Sequence, residues 1–345
     1  MKSFGRYLTY RLQKSALRTA VFTILSVLIT QSVTASGIRG FYPQHHDTSL
    51  YMHAVVLGVF CTLIPILELS AFKNRRNLDT LYFFPIKREK MALAHYVSGF
   101  IQILVIYSVT FFTAWIYLEA QTNYFELGYM LSYYFLSLLL GIVMYSFFMF
   151  IFGQANTVTD GVLFCGLWIF VIYIIIWQLR RTFLRDMFID TKYWELTGQI
   201  AEWGIVYAPI NNLTVIFQDL IEVNQHVNEY DYTTEMARIY LRTSYMFAVW
   251  GVAGIASAVG YFTSFVKKGA EKAGEISDSW FGFRILIPAY TFSLLLMYNE
   301  LDFMTIMILA LSLVGYVIYR RGFKFKIGDY IVMGLGVLEV LLMGF

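Results

Sequence analysis

The feature that most constrains this chain is a succession of long apolar runs separated, except at 179–242, by short loops, many of them basic. A helix needs about 20 predominantly apolar residues to cross a hydrocarbon core. Runs of that kind recur at 19–38, 50–72, 93–118, 128–152, 161–178, 243–266, 284–299, 303–319 and 327–345. They predict nine spans in an all-α, polytopic transmembrane bundle. Runs seven and eight are short, and a re-entrant hairpin split at Asn299-Glu300-Leu301-Asp302 fits them as well. Of 345 residues, 58% are hydrophobic and 14% charged. A soluble domain carries roughly 25% charged residues, so much of this surface is expected not to meet water.

Charge in the loops orients the bundle. Lys2, Arg6, Arg11, Lys14 and Arg18 precede the first run, and Lys73, Arg75, Arg76, Lys87, Arg88 and Lys90 lie between the second and third. Lys267, Lys268, Lys272 and Arg284 follow the sixth, and Arg320, Arg321, Lys324 and Lys326 precede the ninth. All of these fall on one side if the N-terminus is cytoplasmic. Residues 1–18 interleave their cations with Phe4, Tyr7, Leu8, Leu12 and Leu17, which predicts an amphipathic helix in the membrane interface. The chain thus divides into that helix (1–18), a six-span core (19–266) with an outer helical segment at 179–242, and a C-terminal part (267–345) with about three extra spans. Within the outer segment, Leu213, Ile216, Phe217, Leu220 and Ile221 mark one apolar helix face beginning after Pro209. The first run is longer than a signal-peptide core and lacks a small-residue cleavage site, so it is expected to stay.

The chemistry the sequence lacks narrows its function. There is no phosphate-binding G-x-x-x-x-G-K-[ST] loop, no H-E-x-x-H and no Cys/His set at zinc spacing. No catalytic residue and no metal ligand is therefore assigned. His45-His46 reads as a solvated turn, and Cys61 and Cys165 as small packing residues. Charge within a span is costly and marks relays in ion-coupled pumps. Glu68, Glu339, His53, His95 and Asp160 lie in or near the spans and read as interfacial or packing residues. That argues against an ion-coupled secondary transporter, and the absent motifs against a lipid-modifying enzyme. It leaves open a machine powered by a partner.

The stretch 67–99 joins the second and third runs and is the most informative. Asn77 can cap a short helix, and Asp79 then falls in the first turn, where the dipole favours a carboxylate. Pro85 limits that helix to about two turns. Tyr82, Phe83 and Phe84 place three aromatics beside charge in a loop, either as anchors for a protein partner or as part of an interfacial aromatic belt. The run Asn77-Leu78-Asp79-Thr80-Leu81-Tyr82-Phe83-Phe84-Pro85-Ile86-Lys87-Arg88-Glu89-Lys90 resembles the coupling-helix loop of type-two ABC exporter permeases. Lys267-Lys268-Gly269-Ala270-Glu271-Lys272-Ala273-Gly274-Glu275 is similar to the basic-Ala-Glu-x-Ala-Gly stretch of many of these permeases. The likeness covers the first six spans, and the last three resemble those of a longer subgroup.

The resemblance implies the membrane subunit of an exporter in a bacterial cell membrane. A separate ATP-binding-cassette ATPase, carrying ATP and magnesium, would drive it through Arg75, Arg76, Asp79, Tyr82, Phe83, Pro85, Arg88 and Glu89. It also implies a second permease copy or a sister permease. Gly251, Gly254, Ala256 and Gly260 give the sixth span a small-residue face for that contact or for packing within the chain. Few charges in the spans, with 31 Phe, 26 Tyr and 14 Met, point to a hydrophobic or amphipathic cargo, peptide or lipid-like. Exporters of phenol-soluble-modulin-type peptides are the relatives this suggests. No substrate-binding residue is assigned, and nothing points to nucleic acid.

Overall fold

A computed structural model of the chain describes residues 2–39, 47–74, 86–122, 127–183, 232–268, 272–277, 279–298 and 303–343. Among these there are nine α-helices and no strand. They are α1 (Lys2–Arg39), α2 (Asp47–Leu69), α3 (Arg88–Thr122), α4 (Leu127–Gln154), α5 (Val158–Phe183), α6 (Tyr232–Lys267), α7 (Ile285–Tyr298), α8 (Phe303–Arg320) and α9 (Ile327–Met343). A single turn of 3₁₀ helix (Ser70–Lys73) ends α2, and a π turn (Trp280–Arg284) leads into α7. Among the described residues six helices are long and apolar enough to cross a membrane: α1, α2, α3, α4, α6 and α8. The described apolar stretches of α5, α7 and α9 are shorter (Val158–Ile172, Trp280–Leu295 and Ile327–Leu338). The protein is an all-helical, multi-pass membrane chain.

The helices form two compact units, with α4 contributing to both. In the first, α1 packs along α3 and α2, α2 packs on α3, and α3 meets α6. The polarity of α1 is the reverse of a helix in water, which turns its apolar stripe to the core. Here Tyr7, Arg11, Ser15, Ser26, Thr30 and Thr34 are buried, whereas Leu17, Val21, Ile24 and Leu28 are exposed. Hydrocarbon is the solvent that such a surface suits. The basic stretch 1–18 and the first apolar run form one uninterrupted helix of 38 residues. The sequence reading separated them because a cation is cheapest in the headgroup region. The structure offers two of these cations a buried partner instead.

Tyrosine hydroxyls join the helices of this unit across their apolar contacts. Tyr107 pairs with Ser137 (2.6 Å), Tyr134 with Ser108 (2.6 Å) and Tyr96 with Ser146 (2.6 Å), all between α3 and α4. Tyr145 donates to the Tyr96 carbonyl (2.9 Å), and Tyr261 of α6 to that of Ala92 (3.3 Å). Each hydroxyl buried in a dry bundle needs such a partner. Tyr145 lies directly over Gly99, and any side chain there would collide with its hydroxyl.

In the second unit α7 packs on α5, α8 and α9. Thr291 of α7 donates to Ser312 of α8 (2.9 Å), and Tyr290 to the Leu311 carbonyl (3.0 Å). The turn between α8 and α9 is closed by Arg320, whose Nη2 and Nε donate to the Asp329 carboxylate at 3.0 and 3.3 Å. Asp329 also accepts the Lys326 backbone N–H at 2.8 Å, capping α9. The hairpin considered for residues 284–319 turns at 299–302, outside the described residues.

These contacts give a paired prediction for stability in detergent. Gly99→Ala displaces Tyr145 and is expected to cost about 1–3 kcal/mol of unfolding free energy, as overpacking does. Gly166→Ala, with nothing within 4 Å, is expected to be neutral or stabilising. Equal unfolding midpoints for the two variants would contradict the packing described.

Candidate functional site

The most heavily coordinated group in the first unit is the carboxylate of Glu68, at the end of α2 and fully buried. Arg11 Nη2 donates to its Oε2 at 2.6 Å, and Arg18 Nη2 to its Oε1 at 2.7 Å. Gln102 Nε2 also donates to Oε1, at 2.8 Å, while Gln102 Oε1 accepts from Arg18 at 2.7 Å. His95 Nδ1 stands 3.2 Å from Oε2, and its Nε2 stands 3.0 Å from the Tyr7 hydroxyl. With the proton on Nδ1, a neutral imidazole donates to Glu68 and accepts from Tyr7. Two guanidinium groups then face one carboxylate, so the cluster carries a surplus positive charge.

Helical spacing assembles this cluster. Arg11 and Arg18 are seven residues apart on α1, as are His95 and Gln102 on α3, so each pair lies two turns apart on one face. Ser98 lies between His95 and Gln102 and accepts from Gln102 through its carbonyl (3.2 Å). By sequence Glu68 is an interfacial or packing residue; the structure shows it tying three helices together. Partners 57 and 27 positions away were invisible to a local pattern. The repeated seven-residue spacing of polar groups was the available signal.

A second polar cluster forms in the second unit, at the turn between α4 and α5. The Asn156 backbone N–H donates to Ser277 Oγ at 2.8 Å, and Asn156 Nδ2 to the Ile276 carbonyl at 3.0 Å. Gly274 N–H returns a bond to the Asn156 carbonyl at 3.0 Å, and Ser277 donates to Asp160 at 2.6 Å. Gly274 has φ of 80°, a conformation that favours glycine. Lys73 donates to the carbonyls of Gly153 (3.1 Å) and Ala155. The Ala273-Gly274 pair of the second motif is therefore locked to the α4–α5 turn, and so is the residue that leads into the loop after α2.

Of the residues assigned to ATPase coupling, Arg75, Arg76, Asp79, Tyr82, Phe83 and Pro85 lie outside the described residues. Arg88 and Glu89 begin α3. Arg88 Nη1 donates to the Lys268 carbonyl at 3.3 Å, and Glu89 is exposed in the first turn, where its charge suits the helix dipole. In α6, Gly254 and Gly260 lie against Val143 and Phe150 of α4, so a Cβ at either would come within 2.8 Å. Gly251 faces open space and Ala256 is exposed. The proposed face thus splits, with two glycines serving packing within the chain. The outer-segment residues Leu213 to Ile221 lie outside the described residues. Among the described residues no group of three or more His, Cys, Asp or Glu could hold a metal ion. No family model, curated protein or solved structure matches the chain.

The charge cluster predicts an asymmetric response to mutation. Glu68→Ala strands the buried Arg11 guanidinium and the half-buried one of Arg18 and is expected to cost about 3–5 kcal/mol, the penalty for breaking a buried ion pair. Tyr7→Phe removes one neutral hydrogen bond and should cost only about 1 kcal/mol. Comparable unfolding curves for both variants would show that Glu68 does not hold the helices together.

Proposed function

We propose that this chain is the membrane-spanning subunit of an ATP-driven exporter, with ATP hydrolysis carried out by a separate ATP-binding-cassette subunit. The observation that carries this reading is the resemblance of Asn77–Lys90 to a coupling loop, together with the way its two roots are held. Lys73, before the loop, bonds the α4–α5 turn that also holds Gly274. Arg88, after the loop, bonds the carbonyl of Lys268. One end of the loop is thus held to the turn that also holds Gly274, and the other end to the carbonyl of Lys268, both residues of the other segment with the family's pattern. A loop rooted in this way can pass a push from a docked partner into α2 and α3.

On this reading the N-terminus and the loop face the cytoplasm of a bacterial cell, and ATP and magnesium reside on the partner. The path forms between this chain and a second permease copy or a sister permease. The cargo is a hydrophobic or amphipathic molecule, a peptide or a lipid-like compound, as the scarcity of charge in the spans suggests. One observation favours a second reading. The Tyr7–His95–Glu68 chain is the kind of hydrogen-bonded path that an ion-coupled carrier needs. Its clamping by two arginines suits a structural brace better.

The test is copurification and ATPase activity with a candidate ATP-binding-cassette subunit in lipid nanodiscs. Tyr82→Ala and Asp79→Lys are expected to reduce both association and transport, with membrane insertion unchanged. Full association and transport in both variants would contradict the coupling role. Cargo movement that follows an ion gradient without ATP would favour the second reading.

A further inference from the structure

The surplus charge on the Glu68 cluster lies next to an exposed surface whose composition changes along α1. Residues 19–38 of α1 and 48–67 of α2 contain no Asp, Glu, Lys or Arg, and each stretch is about the length needed to cross hydrocarbon. Arg18 and Glu68 are the first charged residues beyond these two stretches, and their side chains meet at 2.7 Å. Two independent helices therefore put the cluster at one level, the boundary between hydrocarbon and headgroups.

At that level Arg18 is only partly enclosed. Its Nη2 serves both Glu68 and Gln102, while 27% of its side chain stays accessible. Its Nε is buried with no partner among the described residues. Lys14 is exposed one turn away, and Tyr10 one turn beyond that is 46% exposed. Leu17 (79%), beside Arg18 in the chain, starts an exposed apolar track that continues into the hydrocarbon stretch through Val21 (45%), Ile24 (59%) and Leu28 (60%). Cations at headgroup level that continue into an apolar track match a molecule with an anionic head and a hydrocarbon tail. The arginine is held in place by two protein acceptors, so little side-chain freedom is lost when a phosphate binds.

We propose that Lys14 and the accessible edge of Arg18 form a binding site for the phosphate of an anionic glycerophospholipid, whose acyl chain lies along Leu17, Val21, Ile24 and Leu28. The headgroup balances the surplus charge that Glu68 leaves, and an anionic lipid is preferred over a zwitterionic one because the latter brings its own cation. The site is independent of the cargo and of the energy source.

The test uses the full chain in detergent, titrated with phosphatidylglycerol or phosphatidylcholine and read by native mass spectrometry. Phosphatidylglycerol is expected to be retained more tightly. Lys14→Gln, an exposed substitution that leaves the Glu68 contacts intact, should weaken that retention roughly five-fold, the worth of one cation near an anionic headgroup. Lys14→Arg should preserve it. Lys324→Gln, exposed on the turn before α9, should leave it unchanged. Equal retention of the two lipids, or equal effects of Lys14→Gln and Lys324→Gln, would overturn the site. Displacement of the lipid by glycerol phosphate at matching concentration would overturn the lipid assignment in favour of a free phosphate ligand.

Discussion

The clasp of Arg11 and Arg18 on Glu68 is the interaction on which the first unit depends. A carboxylate buried among helices is tolerable only when it is paired and hydrogen-bonded. Glu68 receives four donors from α1 and α3, and it sits one residue past the charge-free stretch of α2. This fixes the depth of α1 against its neighbours, because sliding the helix by one turn would strand both arginines. It also fixes rotation. Once Arg11 and Arg18 face inward, the i+4 spacing carries Ser26, Thr30 and Thr34 inward too and turns Leu17, Val21 and Leu28 out to lipid.

The all-helical architecture was legible in the sequence because apolar run length reports directly on membrane spans, and most helix limits fall within a few residues of those runs. The continuity of α1 was not. A cation just before an apolar run reads as a headgroup anchor unless a buried partner is known, and that partner lies in another helix. The same limit applied to Glu68, His95 and Gln102, each unremarkable within its own segment. Of the small-residue face in α6, the pattern identified Gly254 and Gly260 as places of close approach. It could not say that the approaching helix would be α4.

The second motif illustrates a different kind of legibility. Its sequence marked residues 267–275 as notable, and the structure supplies a local physical reason for part of it. Gly274 adopts a positive φ, and its N–H caps the carbonyl of Asn156, while Ala273 is buried. Small residues are required where the chain bends onto the α4–α5 turn, and Ser277 with Asp160 completes the attachment. In the same unit Lys73 donates to the backbone carbonyls of Gly153 and Ala155, and in the first unit Arg88 donates to that of Lys268. Such attachments depend on main-chain geometry and not on the side chains at positions 153, 155 and 268.

The inward polar face of α1 is the claim from which the rest follows, and spin labels placed along that helix test it most directly. Oxygen accessibility in a bilayer should be low at positions 11, 15, 26 and 30 and high at 17, 21, 24 and 28, with a helical period. A flat profile, or one with its maxima at the polar positions, would contradict the account and release α1 from Glu68.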